Sequence, residues 1–208
     1  MAEDIIPIGG STSSVCAKIS KNIVRNCDDK PVAGMEQRLV LINCDDLPAS
    51  GITFSADYPN SLIEAINLNN GKTGYEVTGI KQIMKFSNAL EVNDEGENGI
   101  PHNITGIRFY DPSEAARDEI NKFIGGARVY AILETKWKGI ENKYAFKFFG
   151  IKFGLEISEL TEASSENDGT VVMSLKTPNG FKEPYLPHIY RDTDYTTSLT
   201  TFNNKFAS

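Results

Sequence analysis

Few residues in this sequence are of the kinds that usually hold metals or act as catalysts. There are only two histidines and three cysteines in 208 residues. Neither His102 nor His188 lies in an H-E-x-x-H pattern or near a cysteine, so we predict that both are exposed loop residues and not metal ligands. Cys16, Cys27 and Cys44 form no C-x-x-C pair, and any single bridge leaves one of them free. This is typical of a protein made in a reducing compartment.

Basic residues are also scarce. The chain has 21 lysines and arginines against 28 aspartates and glutamates, which gives a formal net charge of −7. A protein that grips nucleic acid concentrates positive charge to neutralise phosphates, so specific nucleic-acid binding is not expected. The first residues, MAEDIIPIGG, lack the basic flank and long apolar core of a signal peptide, and no run is long enough for a transmembrane helix. We expect a soluble protein that has no membrane partner and is not exported by the general route.

One short string has the ending of a phosphate-binding loop. Gly71-Lys72-Thr73 matches the last part of a P-loop, but the position five residues before Gly71 must be glycine and is Ile66. The flanking asparagines favour a hairpin turn instead.

The acidic clusters lack the alternating ligands and final glutamate of a calcium loop. We expect solvated turns at Asp45-Asp46, at Asp94-Glu95-Glu97, and at Glu162, Glu166 and Asp168. No nucleophile, base or metal set stands out, so the sequence predicts no catalytic residues, no cofactor and no metal site, and the chain is not expected to be an enzyme.

The rest of the sequence is dominated by short runs typical of β-strands, each bounded by turn residues. These runs cover residues 18–26, 36–43, 104–110, 127–137, 143–160 and 170–177. Residues 61–68 fit either a strand or a helix, and the turn at 69–74 predicts a hairpin with residues 75–86.

Alternation is clearest in residues 127–137, where Val129 and Ala131 face one way and Tyr130 faces the other. The next run, 143–160, is interrupted at Gly150 and Gly154, and a turn at 164–169 leads into the run 170–177. Residues 127–177 therefore read as an antiparallel meander.

One helix is predicted, over about residues 111–124. Asp111 is a good N-cap, Pro112 suits the first helical position, and Glu114 completes a capping box. Gly125-Gly126 is typical of a helix end. The apolar stripe that should pack on a sheet consists of Ala116, Ile120, Phe123 and Ile124.

The chain divides into three parts. Residues 1–17, with Pro7 and a Gly-Gly pair followed by serines, are typical of an extended N-terminal arm. Residues 18–177 form a single, mainly β domain. Residues 178–208 contain three prolines and an apolar, aromatic end, which is too apolar for a disordered tail and predicts a segment that docks on its own domain or on a neighbour.

The C-terminal third contains three segments that matter together: GGARVYAILETKWKGIENKYAFKFFGIKFGLEISEL (125–160), TVVMSLKTPNGFKEPYLP (170–187) and DTDYTTSLTTFNNKF (192–206). With RLVLINCDDL (38–47) and NNGKTGYE (69–76), this combination resembles the tail structural proteins of tailed bacteriophages. It is most similar to the major tail or tail-tube proteins of phages with Bacteroides-type hosts. The resemblance spans roughly residues 36–206. It rests on the order of the strands, the single helix and the amino-acid sequence of the C-terminal third, and not on a functional motif.

The resemblance implies two antiparallel sheets, packed as a sandwich or small barrel of the tail-tube type, with one flanking helix and extended arms at both ends. It implies a virion structural protein whose copies, six to a ring, self-assemble into stacked rings. The resulting tail tube would let double-stranded DNA pass without specific binding. The partners would be copies of the chain and other tail proteins, assembled in the bacterial host cytoplasm. The expected assembly elements are the arm 1–17, the loops 26–35 and 45–61, and the segment 178–208.

Two other functions stay open at this point. The nearest alternative is another virion component, such as a tail terminator, connector ring or baseplate subunit, which shares the sheets but does not polymerise. It is also compatible with a β-sandwich module that binds a glycan or a host receptor through exposed aromatic side chains, for which Tyr58, Trp137 and Tyr185 are candidates.

Overall fold

The computed structural model describes residues 19, 21–24, 27–79, 83–92, 98–165 and 167–208. Over these ranges the protein is mainly β, with two sheets and two α-helices. The larger sheet has seven strands, in the spatial order β2 (Ile52–Phe54), β3 (Leu62–Ile66), β11 (His188–Tyr190), β8 (Phe146–Phe149), β7 (Val129–Thr135), β1 (Met35–Asn43) and β4 (Tyr75–Thr78). The smaller sheet has four, in the order β5 (Lys85–Asn88), β6 (His102–Phe109), β10 (Val171–Lys176) and β9 (Glu156–Glu162).

The sheets confirm the predicted mainly β, two-sheet architecture of the sandwich class. All strand pairs are antiparallel except β3 and β11, which run parallel. Neither sheet closes into a barrel within the described ranges. The ambiguous run 61–68 is a strand, since β3 occupies Leu62–Ile66.

Strand β7 lies near the middle of the larger sheet and is buried along its whole length. Val129, Ala131 and Leu133 belong to a core formed with the smaller sheet. Tyr130 and Ile132 belong to a second core on the opposite face. The predicted alternation is confirmed, but both faces are covered, so the larger sheet is the middle of three layers.

The third layer is the C-terminal segment. β11 enters the larger sheet between β3 and β8, and helix α2 (Tyr195–Asn203) follows. Phe202 and Phe206 are 0% and 3% exposed in the second core. The expectation of an extended C-terminal arm is therefore wrong, and the segment packs on its own domain.

The sequence also failed to predict α2 as a helix. Its residues, YTTSLTTFN, are rich in threonine, and β-branched side chains favour strands over helices. The helix is stabilised by Asp194, whose carboxylate accepts a hydrogen bond from the backbone N–H of Thr197 at 2.7 Å, and by the burial of one apolar face. Tertiary packing thus overrides local propensity.

The predicted helix α1 exists but begins later, at Glu114, and ends at Ile124. Its N-cap is Ser113, whose hydroxyl accepts a hydrogen bond from the Ala116 N–H at 3.2 Å. Asp111 accepts from the Ser113 N–H instead, so the predicted Asp111 cap is wrong. Within the predicted stripe Ile120 is buried, but Ile124 is 60% exposed.

Two predicted connections are wrong. β3 pairs with β2 and β11, whereas β4 pairs with β1 at the opposite edge of the sheet, so residues 69–74 do not join a hairpin. The run 75–86 also contributes to both sheets, as β4 and β5. A turn sequence shows that the chain reverses, but it does not show which strands become neighbours.

The predicted meander over 127–177 is split in the same way. β7 and β8 pair in the larger sheet, while β9 and β10 pair in the smaller one. The chain crosses between the sheets at residues 150–154, where Gly150 and Gly154 have φ of +80° and +69°. A Cβ on Gly150 would lie 2.9 Å from the backbone carbon of Gly154, so the crossover requires glycine there.

The predicted strand at 18–26 is absent from its described residues, which are 19 and 21–24. Ile19, Ile23 and Val24 are 88%, 93% and 81% exposed. Nothing in the described domain covers these apolar side chains. The predicted arm at 1–17 lies outside the described residues.

Gly150→Ala should destabilise the fold by several kcal/mol, because the change adds a backbone clash to the cost of a left-handed conformation, which is roughly 1–2 kcal/mol for a non-glycine residue. Gly169→Ala is the matched control, since Gly169 has φ of +73° and open space around its Cα. Urea unfolding of the two variants should show a clearly larger loss for Gly150→Ala. Equal losses would show that the close approach at the crossover does not matter.

Candidate functional site

His102 is the first residue of β6 and is 0% exposed. The backbone N–H of Gly150 donates to its Nδ1 at 3.0 Å, so the proton must be on Nε2, which donates to the Tyr185 carbonyl at 3.0 Å. Burial lowers the pKa of His102 to about 4. The ring is neutral and joins the inter-sheet crossover to the C-terminal segment.

His188 is also buried, at 2% exposed, in β11. Its ring meets Phe54 and Tyr185 edge to face, with centroids 5.7 and 6.1 Å away. Burial, and then the nearby His102, lower its pKa to about 4. The prediction of two exposed loop histidines is therefore wrong, because the strands that bury them begin immediately at these residues.

Glu183 completes this buried polar cluster, which we define as His102, Glu183 and His188. Its carboxylate is 0% exposed and accepts hydrogen bonds from the backbone N–H groups of Lys152, at 3.2 and 3.1 Å, and Phe153, at 3.1 Å. Burial raises its pKa to about 7, against the effect of these hydrogen bonds. The sequence analysis missed Glu183, and no local pattern marks a lone glutamate before a proline as buried.

The cluster stabilises the crossover between the sheets. Leaving a buried backbone N–H without a partner is costly, and His102 and Glu183 supply acceptors for those of Gly150, Lys152 and Phe153. The described residues contain no group of three or more potential metal ligands. Cys44 is half-buried, and burial raises the pKa of its thiol to about 12, so it is not an activated nucleophile.

The Gly71-Lys72-Thr73 turn binds a neighbouring loop of its own chain. Lys72 Nζ lies 2.8 Å from Asp46 Oδ1, and Asn43 donates to Asp46 at 3.0 Å. The hydrogen bond from Lys72 lowers the pKa of Asp46. Asp46 is buried, which corrects the expectation of a solvated turn there.

The other predicted acidic turns divide in two. Glu162 lies in β9, not in a turn, and pairs with Arg117 of α1 at 2.5 Å. Asp168 is in a turn and lies 3.5 Å from Arg108. Residues 94–97 and Glu166 lie outside the described residues.

Two large clefts lie on the surface of the described part of the chain. A cleft of about 900 Å³ lies beside β4 and α1, and Tyr75, Val77, Phe109 and Phe123 contribute to its lining. A second cleft, of about 780 Å³, lies beside β5 on the other side. Its larger side chains are Phe86, Trp137, Tyr144, Lys147, Tyr185 and Leu186. We call this second one the aromatic cleft.

Two of the three predicted aromatic candidates meet in the aromatic cleft. Trp137 and Tyr185 both line it, and Trp137 Nε1 donates to Asp29 at 2.8 Å. Tyr58 does not line it, and the Lys21 ammonium lies 5.2 Å from the centre of its ring. Sequence reasoning did not connect Tyr144 or Lys147 with this site, because Tyr144 lies in the turn before β8 and Lys147 lies on β8.

The comparisons with known proteins gave no relative: no protein-family description, no curated protein and no solved structure matches the chain. In the described ranges no helix has the length and apolarity needed to cross a membrane.

Glu183→Gln should change how stability depends on pH. In the folded protein the pKa of Glu183 is raised from 4.5 to about 7. Its contribution to the free energy of unfolding is therefore fully present below pH 4.5 and is lost as the pH rises to 7. Because glutamine does not titrate, the variant does not lose stability in this pH range. Its free energy of unfolding, relative to wild type, should therefore rise by up to about 3 kcal/mol between pH 4.5 and 7, at about 1.4 kcal/mol per pH unit.

Urea unfolding at intervals from pH 4.5 to 8 would measure this difference. Glu159→Gln is the control, since Glu159 lies exposed on β9, and its difference from wild type should stay flat. A flat difference for Glu183→Gln as well would contradict the buried, raised-pKa carboxyl.

Proposed function

We propose that the chain is a non-enzymatic virion structural protein that self-assembles into stacked rings and forms a phage tail tube. The family, the six copies per ring and the site of assembly in the host cytoplasm come from the sequence resemblance alone. The support from the fold is independent of that resemblance and concerns self-association.

The observation that carries the proposal is the apolar segment before β1. Ile19, Ile23 and Val24 expose more than four-fifths of their surface, and three such side chains within six residues are unusual on a monomer that stays alone in water. A neighbouring copy would cover them.

The sheet edges point the same way. β2 and β4 end the larger sheet and β5 and β9 end the smaller one, with no further strand beside them in the described part of the chain. Exposed edges pair readily with other chains. In a closed ring the edges of neighbouring copies would satisfy one another.

The outer face of the smaller sheet supports the role of a channel wall. Met173 and Leu175 of β10 belong to the core, whereas Ser158 and Glu159 of the neighbouring β9 are exposed. These polar side chains can face water. The net charge of −7 disfavours adhesion of DNA, because like charge keeps the polymer from the wall.

Two other functions have their own support. A terminator, connector or baseplate subunit would have the same sheets, and copy number in the particle separates it from a tube protein. A glycan- or receptor-binding module is favoured by the aromatic cleft, in which Trp137 and Tyr185 meet. A glycan array tests this second alternative directly.

Negative-stain microscopy and native mass measurement of the purified protein should show rings or tubes built from the 22.9 kDa chain, at least when seeded with a tail initiator. Ile23→Ser should lower the yield of assemblies about tenfold, because it removes apolar surface that a neighbour covers, while leaving the unfolding of the monomer unchanged. Ile124→Ser, at an exposed isoleucine of α1, is the matched control and should assemble normally. A strict monomer at high concentration, even with initiator, would refute the proposal.

A further inference from the structure

The aromatic cleft contains a lysine with no carboxylate partner. Lys147 of β8 projects into it, and its Nζ lies 5.1 Å from the centre of the Phe86 ring. Among the described residues it makes no ion pair. Burial lowers its pKa, as expected for an ammonium group that is held partly away from water with an aromatic ring beside it but no opposite charge. An anionic ligand would remove this cost.

A residue that lines the cleft also carries a polar atom without a partner among the described residues. Asn88 Oδ1 is buried and accepts no hydrogen bond from them. Asn88 lies two residues after Phe86 on β5, so both side chains are on the same face of that strand. An oxygen acceptor in this position calls for a donor such as a backbone N–H group.

β5 itself offers the third feature. It is an edge strand that pairs with β6 on one side, and within the described ranges nothing pairs with its other side. That free side borders the aromatic cleft, which is lined by Phe86, Ser87 and Asn88. An extended chain could add here as a fifth strand.

The unpaired lysine, the asparagine oxygen and the free edge of β5 together indicate which kind of ligand the cleft would bind. It must be extended, must carry a carboxylate, and must place apolar side chains on the same face as that carboxylate. The first residues of the chain have this pattern: in MAEDIIPIGG, Asp4, Ile6 and Ile8 alternate with period two. Pro7 lacks an N–H group, so it suits a strand that becomes the new edge.

We propose that residues 4–8 of a second copy of the chain bind the aromatic cleft as a strand along β5, with Asp4 paired to Lys147 and Ile6 and Ile8 against Trp137 and Tyr144. This inference rests on the proposed self-assembly. Residues 9–26 can span up to roughly 60 Å when extended, which is enough to reach a neighbour. The exposed Ile19, Ile23 and Val24 belong to this connecting stretch, and contact with the neighbour along the way would cover them.

Photo-crosslinking of the full-length chain tests the contact. With p-benzoylphenylalanine in place of Ile6, irradiation should give an adduct of twice the chain mass, and mass spectrometry should map the link to peptides holding Trp137, Tyr144 or Lys147. An adduct confined to one chain, an adduct on another surface, or none would overturn the proposal.

A charge exchange tests the pairing. Asp4→Lys and Lys147→Glu should each lower the yield of the adduct about tenfold, since each places like charges together, and the double variant should restore most of it. Circular dichroism shows whether Lys147→Glu folds. If it does not fold, Lys147→Met takes its place and should lower the yield of the adduct by the same factor. Lys143→Glu, an exposed lysine on the preceding turn, is the matched control. Failure of the double variant to rescue would overturn the Asp4–Lys147 pair.

Trp137 is the only tryptophan, so intrinsic fluorescence reports the cleft directly. Its emission should change on dilution of wild type and not of Lys147→Met, because a segment from another copy is released at low concentration. Emission that is independent of concentration, or that responds to oligogalacturonate or sialyllactose, would assign the cleft to the same chain or to an acidic glycan and overturn the proposal. Rings seen by microscopy without any adduct would refute the cleft contact alone, whereas crosslinked pairs without rings would refute the tail-tube function alone.

Discussion

Burial of β7 on both of its faces is the constraint on which the rest of the structure depends. A strand with one buried face needs one covering layer, whereas β7 is buried on both faces and needs two. The smaller sheet covers Ala131 and Leu133, and the C-terminal segment covers Tyr130 and Ile132. Because each fully buried large apolar side chain contributes about 1.5–3 kcal/mol, neither layer can be dispensable. The last residues are part of the core for this reason, with Phe146 packed against Tyr190, Tyr195 and Phe202.

To build the smaller sheet, the chain must leave the larger one, and two buried titratable groups lie at this crossover. Gly150, Ile151 and Gly154 of the turn at 150–154 are buried, and Lys152 and Phe153 are partly buried. Glu183 and the neutral His102 accept from three of the turn's N–H groups, and both come from other parts of the sequence. A buried carboxylate and a buried imidazole with shifted pKa values are often found in active sites. Here backbone groups occupy their hydrogen-bonding atoms, and burial alone accounts for the direction of both pKa shifts.

Sequence reasoning succeeded where a signal is local and failed where it depends on distant partners. The alternation of 127–137 and the apolar run 36–43 correspond to β7 and β1, because the types of neighbouring residues are enough to indicate a strand. The pairing of β3 with β11 joins residues more than a hundred positions apart, so no turn sequence could predict it. α2 was missed for a related reason, since Leu199, Phe202 and Phe206 form a helix only because a core is present to receive them. The buried histidines were misplaced because burial depends on what covers a residue, not on the residues beside it.

Two surface clefts connect this architecture to assembly. Each is lined in part by apolar side chains, and one of them contains Lys147. A monomer could have filled these clefts with larger side chains or blunted the adjacent edges with charges and bulges. This chain instead leaves β5 and β9 open within its described part and adds an apolar segment ahead of β1. Contact with another copy would cover the open edges, the clefts and the apolar segment together, which is what the proposed self-association requires. The specific form of the proposed assembly depends on the sequence resemblance.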